Sequence, residues 1–295
     1  MSHIAIIGAG ELGMALAKVL RGKINVRLWD ITASRVPGIL PLQETVAGAD
    51  IIFCCVPSFA MREAVSEFVS FIDARATAVV SLAKGIEVWS RKTMDEVLDE
   101  LIPTSGRWGV MGGPMLANEL ADGLPCAAEV ASRDAATRDR IKALFVGTNL
   151  AVETSDDTRG VALAGVLKNI YAVAMGIGAG LGWRKTRIDA FAERAKGEML
   201  VAGLALGAQE KTIRGTAGFA DFMATAYSDH SRNRSVGLAF AIDGGPAIKG
   251  EGLLSLRPLL EMLGPRVVSF PVLNAIAAVT LRGESVGAVF GSMAG

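Results

Sequence analysis

Lys168 and Asn169 interrupt residues 161–182, VALAGVLKNIYAVAMGIGAGLG, a run that is otherwise almost wholly apolar. Burial among hydrocarbon disfavours the charged form of an ammonium, lowers its pKa toward neutrality and equips it to exchange a proton near pH 7. A core helix with a structural lysine gives the same pattern. A second lysine, Lys84, closes the apolar run ATAVVSLAKG and reads as functional at a strand end or as a solvated loop residue. Further on, Asp221 and Thr225 lie four residues apart, a spacing that sets both on one helix face. Ser231, Arg232 and Asn233 then form a donor-rich cluster. A guanidinium gives two parallel hydrogen bonds and an amide a third, which suits a phosphate or carboxylate, although a polar loop between helices has the same composition. Lys168 thus reads as a proton donor near a second cation, Lys84, with Asp221 restraining it from losing its proton altogether.

The elements around these groups begin with HIAIIGAGELGMALAKVL, a short β run followed by Gly8, Gly10 and Gly13 in GxGxxG spacing and then an apolar-periodic helix. In that context Gly8 permits a tight turn, Gly10 close approach to a pyrophosphate, and Gly13 close packing of helix on strand. Asp30 ends the next β run, NVRLWD, roughly 20 residues on, where a carboxylate reads the ribose hydroxyls and repels a 2′-phosphate. This favours NAD over NADP; an ordinary charged residue at a strand end is the alternative. The runs ADIIFCCVPS and ATAVVSLAKGIE, alternating with helical segments, indicate a parallel sheet covered on both faces, with ligands at its carboxyl edge. Between Asp30 and Ala47 only an abbreviated crossing fits, with GILPL as its short strand.

The expected fold is an α/β Rossmann-type doubly wound sheet followed by a mostly α-helical domain. Residues 1–155 form the dinucleotide-binding domain and residues 156–295 the substrate-binding and catalytic domain. The 295 residues are 51% hydrophobic with no formal net charge, so nothing in the balance marks a nucleic acid or an anionic membrane as partner. A central lysine costs about 2.5–3.5 kcal/mol inside a bilayer, so residues 161–182 are not expected to span one. Three cysteines without CxxC spacing fit a reducing cytoplasm, and MSHIAIIGAG carries no export signal. No metal site is expected. Of the two histidines, His3 starts the first strand and reads as structural, while His230 borders the donor cluster and is either an ordinary loop residue or catalytic.

Seven segments, GAGELGMALA, CCVPSFAMR, LAKGIE, GGPMLANELADGLP, GVLKNIYAVAMGIGAGLG, GTAGFADFMATAYSDHSRNRSVG and KGEG, resemble in order the bacterial-type NAD(P)-dependent glycerol-3-phosphate dehydrogenases. The resemblance implies that Lys168 is the proton-transfer lysine, with Lys84, Asp221 and Thr225 in the polar network around the reacting carbon. It implies that Lys84, Gly113, Asn169, Ser231, Arg232 and Asn233 hold the substrate. Gly8, Gly10, Glu11, Leu12, Gly13, Asp30, Pro57, Phe59, Lys84, Ala117, Arg232 and Glu251 then line the nucleotide. A homodimer is implied as well.

The chain departs from that pattern in four places. Glu11-Leu12 stands where the family usually has Ser-Trp, Met115 replaces a serine near the substrate, the segment after Asp30 is shorter, and GWRKTRIDAF is more basic. Met115 and Trp183 are therefore where the pocket is expected to differ. The leading expectation is NAD-dependent interconversion of sn-glycerol 3-phosphate and dihydroxyacetone phosphate. The rivals are the same chemistry on another polyol phosphate or hydroxy acid, and a non-catalytic NAD-binding regulator.

Overall fold

Strands β1 (His3–Ile7), β3 (Ile51–Cys54) and β4 (Ala78–Ser81) are buried at every position, as continuous apolar runs covered on both faces must be. They are the centre of a seven-stranded sheet in a computed structural model that describes residues 3–103, 106–245, 250–291 and 293. The other strands of the sheet are β2 (Asn25–Trp29), β7 (Arg107–Gly112), β8 (Cys126–Ala131) and β9 (Leu150–Ser155). Their order is β2-β1-β3-β4-β7-β8-β9. A two-stranded hairpin, β5 (Ile86–Glu87) with β6 (Lys92–Thr93), stands outside it.

β2, β1, β3, β4 and β7 pair in parallel, and β8 runs against β7 before β9 rejoins in parallel to β8. The antiparallel step departs from the uniformly parallel sheet that the apolar runs suggest. The connection from β7 to β8 contains only the five-residue helix Ala117–Ala121, which packs on helix Glu11–Leu20, so the chain turns back from the carboxyl edge instead of crossing the sheet.

The expected strand GILPL does not form. The segment after β2 holds a single 3-10 turn, Ala33–Arg35, and helix Leu42–Val46, which begins inside that motif. Pro37 and Pro41 supply no backbone N–H to a ladder, and Ile39 and Leu40 are not shielded enough to seat a strand. β2 is accordingly the sheet edge.

Helix Thr158–Gly180 starts three residues after β9 and is buried along almost its full length. Asp157 caps it by accepting the Gly160 N–H at 2.8 Å. By length and composition this helix is able to cross a membrane, yet its whole apolar window is buried inside the protein. Helix Arg232–Asp243 lies directly on it. A Cβ at Gly176 would come 1.9 Å from the Arg234 carbonyl oxygen, and one at Gly237 would come 1.9 Å from that of Val173. Only glycines permit this backbone contact, and the contact draws residues 231–233 toward Lys168.

Among the buried helices, Glu198 accepts the Val272 N–H at 2.7 Å, the Leu273 N–H at 3.1 Å and the Tyr171 hydroxyl at 3.1 Å. It thereby satisfies the first N–H groups of helix Pro271–Arg282.

Candidate active site

Lys168 sits midway along helix Thr158–Gly180 and is 7% exposed. Its Nζ donates to Thr225 Oγ1 at 2.9 Å and lies 3.3 Å from Asp221 Oδ1. Lys84 reaches the same carboxylate from the carboxyl edge of the sheet: its Nζ is 2.6 Å from Asp221 Oδ2 and donates to the Gly113 carbonyl at 2.8 Å. Burial lowers the Lys168 pKa to about 8; Asp221 opposes the shift and the positive charge of Lys84 adds to it. Helix Asp221–Tyr227 carries both Asp221 and Thr225 on the face turned to Lys168, as their spacing predicts.

Lys168 and Thr225 open onto a cleft of about 530 Å³. Its walls also carry Glu11, Met115, Ala117, His230, Ser231, Arg232 and Asn233. Residues from five helices and the turns before two of them thus meet where proton-transfer and anion-binding groups were expected together. Ser231 caps helix Arg232–Asp243 by accepting the Arg234 N–H, and Arg232 in the first turn of that helix is exposed. Gly113 takes part through its carbonyl, which fixes Lys84.

Three residues expected at the ligands use polar atoms to tie separate elements together, two of them between the sheet edge and the helices and one between two helices. Asn169 Nδ2 donates to the Lys84 carbonyl at 2.8 Å, and Asn233 Oδ1 accepts the Gly252 N–H at 3.0 Å. Glu251 accepts the Ser58 N–H at 2.9 Å and the Ser58 hydroxyl at 2.6 Å, directly after Pro57. Lys249 of the KGEG motif lies outside the described residues. Phe59 is 64% exposed at the carboxyl edge.

The glycine loop has the shape a dinucleotide needs. Gly8 has φ +100°, and a Cβ at Gly13 would lie 2.0 Å from the Gly8 carbonyl oxygen, so helix Glu11–Leu20 is seated hard on the turn. A Cβ at Gly10 would meet nothing within 4 Å, and no side chain caps the helix there. The first N–H groups therefore face a cradle open to a pyrophosphate. Glu11 and Leu12 occupy the first positions of that helix, with Glu11 exposed.

Asp30 is buried, and both of its oxygens are engaged. Oδ2 accepts the Ala9 N–H and Oδ1 the Thr32 N–H, each at 2.8 Å, and Arg35 Nη1 lies 3.3 Å from Oδ2. Sequence reasoning missed Arg35; the visible signal was a cation five residues beyond the strand-end carboxylate. It also missed Asn118 and Ala121 on the cleft wall, although both lie within the GGPMLANELADGLP segment.

Trp183 is not on the cleft. Its ring is T-shaped against Phe191 at 5.1 Å and stacked under the Arg187 guanidinium at 3.8 Å, an apolar corner that holds it away from Met115. His3 is structural, with Nε2 2.9 Å from the Thr45 carbonyl, whereas His230 lines the cleft. Among the described residues no group of three or more His, Cys, Asp or Glu side chains is placed to hold a metal ion.

A glycine-loop sheet joined to a helical bundle, with a buried lysine where they meet, defines a dinucleotide-dependent oxidoreductase. The family model for the NAD-dependent glycerol-3-phosphate dehydrogenase N-terminus matches residues 38–138, and that for the C-terminus matches residues 157–290. The chain belongs to the NAD-dependent glycerol-3-phosphate dehydrogenase family.

It is 33% identical to glycerol-3-phosphate dehydrogenase (NAD(P)+) of Azotobacter vinelandii, over 97% of this chain and 92% of that protein. A glycerol-3-phosphate dehydrogenase structure from Coxiella burnetii superposes with a TM-score of 0.87 at 28% identity, covering 99% of this chain and 98% of that one. A 2-dehydropantoate 2-reductase from Geobacter metallireducens shares the fold, with a TM-score of 0.61 at 16% identity over 96% of this chain and 100% of the other.

Proposed function

We propose that this chain interconverts sn-glycerol 3-phosphate and dihydroxyacetone phosphate with NAD(H), and that Lys168 exchanges the proton at the C2 oxygen. The observation that carries this reading is Lys168 Nζ, buried at a cleft wall beside Asp221 and Thr225 and facing the cavity that Arg232 also lines. A bound nicotinamide supplies or accepts the hydride. With a pKa of about 8, Lys168 is mostly protonated at neutral pH and can donate to an oxygen gaining negative charge; its free base accepts the proton in the opposite direction. Asp221 offsets one of the two lysine charges, leaving net positive charge beside that oxygen. Arg232, with the Ser231 hydroxyl and the Asn233 amide beside it, is the clamp for the phosphate.

Residues 1–155 serve as the dinucleotide-binding domain in this reading, and residues 156–295 as the substrate-binding and catalytic domain. Gly8, Gly10, Glu11, Leu12, Gly13, Pro57, Phe59 and Ala117 line the nucleotide, with Lys84 and Arg232 between the two ligands. Three free thiols support a reducing cytoplasm, and a homodimer is carried over from the family resemblance. Light scattering of the purified protein tests the dimer.

Met115 on the cleft wall favours one second reading, the same chemistry on another polyol phosphate or hydroxy acid. A panel of ketone phosphates and keto acids, assayed by NADH oxidation, separates the two. Activity confined to a keto acid would overturn the phosphate assignment.

A further inference from the structure

The turn that delivers Asp221 to Lys168 is not α-helical. Residues Thr216–Ala220 form a π-turn, closed by the Ala220 N–H on the Gly215 carbonyl at 3.2 Å, five residues back, and helix Asp221–Tyr227 continues from it without a break. A turn of α spacing there would carry the following helix round by about 100° and take Asp221 and Thr225 off the Lys168 face together. π spacing is rare in proteins, so this turn needs an external hold.

Two carboxylates on the sheet supply that hold. Glu129 of β8 is 8% exposed, and its Oε2 accepts the N–H of the fully buried Ala217 at 3.3 Å. Glu153, its partner in register on β9, accepts the Thr216 hydroxyl at 2.7 Å. Gly112 pairs with Glu129 from β7, and a Cβ there would meet the Ala217 methyl group at 3.6 Å, so the turn lies directly against the sheet. Burial pushes the Glu129 carboxyl up, the Ala217 N–H and the Ser155 hydroxyl pull it back, and the charges of Glu153 and Asp157 push it up again. An apolar residue at this position would avoid that cost, but the buried Ala217 N–H would lose its acceptor.

We propose that Glu129 is a positioning residue for the reaction: it pins the π-turn through the Ala217 N–H, with Glu153 as a second anchor, and so fixes the carboxylate that Lys168 and Lys84 share. Lys168 is faced by Asp221 and Thr225 from the helix that follows the turn and by the charge of Lys84 from the sheet edge. Loosening the turn moves the helix pair away and leaves Lys168 beside the positive charge of Lys84, which lowers its pKa further. This rests on the reading of Lys168 as the proton-transfer residue given above.

The test is the pH profile of dihydroxyacetone phosphate reduction, with urea unfolding in parallel, for the wild type, Glu129→Ala, Glu129→Gln and Thr216→Val. Glu129→Ala is expected to move the alkaline limb to lower pH and to lower kcat about tenfold or more, while KM for the ketone stays within about threefold. Glu129→Gln keeps an acceptor oxygen for the Ala217 N–H and should restore the limb. Thr216→Val breaks the second anchor at the protein surface, should fold as the wild type does, and should move the limb in the same direction by less. Rates that fall equally at every pH, a limb unmoved in Thr216→Val or in folded Glu129→Ala, or a Glu129→Gln limb displaced as far as that of Glu129→Ala would overturn the proposal and leave the reading of Lys168 standing. A wild type that reduces the ketone with no alkaline limb near pH 8, or that does not reduce it, would overturn both.

Discussion

Lys168 and Lys84 share one carboxylate: Asp221 Oδ1 lies 3.3 Å from the first ammonium and Oδ2 lies 2.6 Å from the second. Two lysines contributed by the helical bundle and the sheet edge are thereby held beside one cleft. A single buried anion cannot neutralise both, and the residual positive charge is what a forming alkoxide requires.

The lowered pKa of Lys168 fixes the sign of the pH dependence. Ketone reduction needs the protonated form, so kcat should fall as pH rises through about 8, while alcohol oxidation needs the free base and should rise over the same interval. Parallel pH profiles in the two directions test this. Two profiles that move together would contradict it.

Asp221 raises the Lys168 pKa, so its removal should lower it further. Asp221→Asn should shift the alkaline limb of the reduction profile to lower pH and reduce kcat by about 10²-fold or more. An unchanged limb would mean that the carboxylate does not govern the proton on Lys168.

The glycine contact between helices Thr158–Gly180 and Arg232–Asp243 positions the anion cluster. Gly237→Ala places a methyl group 1.9 Å from the Val173 carbonyl oxygen, which forces the helices apart. Overpacking of this kind costs about 1–3 kcal/mol or more, and the displaced Arg232 should raise KM for the phosphorylated substrate. Denaturant unfolding and steady-state kinetics measure the two effects. A variant as stable as wild type with an unaltered KM would show that the contact does not set the site.

Glu198 is buried, is not among the residues that line the cleft, and serves the fold. Glu198→Ala leaves two helix N–H groups and the Tyr171 hydroxyl without their acceptor and should cost about 2–4 kcal/mol of stability. kcat per folded molecule should stay within about twofold, because the side chain has no contact with the cleft. Urea unfolding followed by tryptophan fluorescence reads the loss.

The residues that announce themselves in sequence are those whose type conflicts with their surroundings. Lys168 within an apolar helix, and Gly8 and Gly13 at a strand-helix turn, have few physical explanations; the structure sets Lys168 beside Asp221 at the cleft wall and the two glycines where helix and turn pack closely. Residues that serve through a distant partner were less legible. Asn233 and Glu251 are visibly polar, but that they receive the Gly252 and Ser58 N–H groups depends on contacts between separate elements. Arg35 is not marked in the sequence, because its relation to Asp30 exists only once the 3-10 turn has formed. GILPL misled for a related reason: its apolar residues suit a strand, while the flanking prolines deny it a ladder. Trp183 is expected at the pocket because GWRKTRIDAF departs from the family pattern, and Phe191 and Phe290 draw it elsewhere.

The central claim is that Lys168 performs the proton step of a dihydroxyacetone phosphate reductase. The most direct measurement is the initial rate of NADH oxidation with dihydroxyacetone phosphate for wild type and Lys168→Ala, with the NADH Kd determined for both. The predicted result is a robust wild-type rate that falls about 10²–10⁴-fold in the variant while NADH binding is retained. A Lys168→Ala protein that keeps its turnover within a few-fold, or a wild type that binds NADH and leaves this ketone untouched, would contradict it.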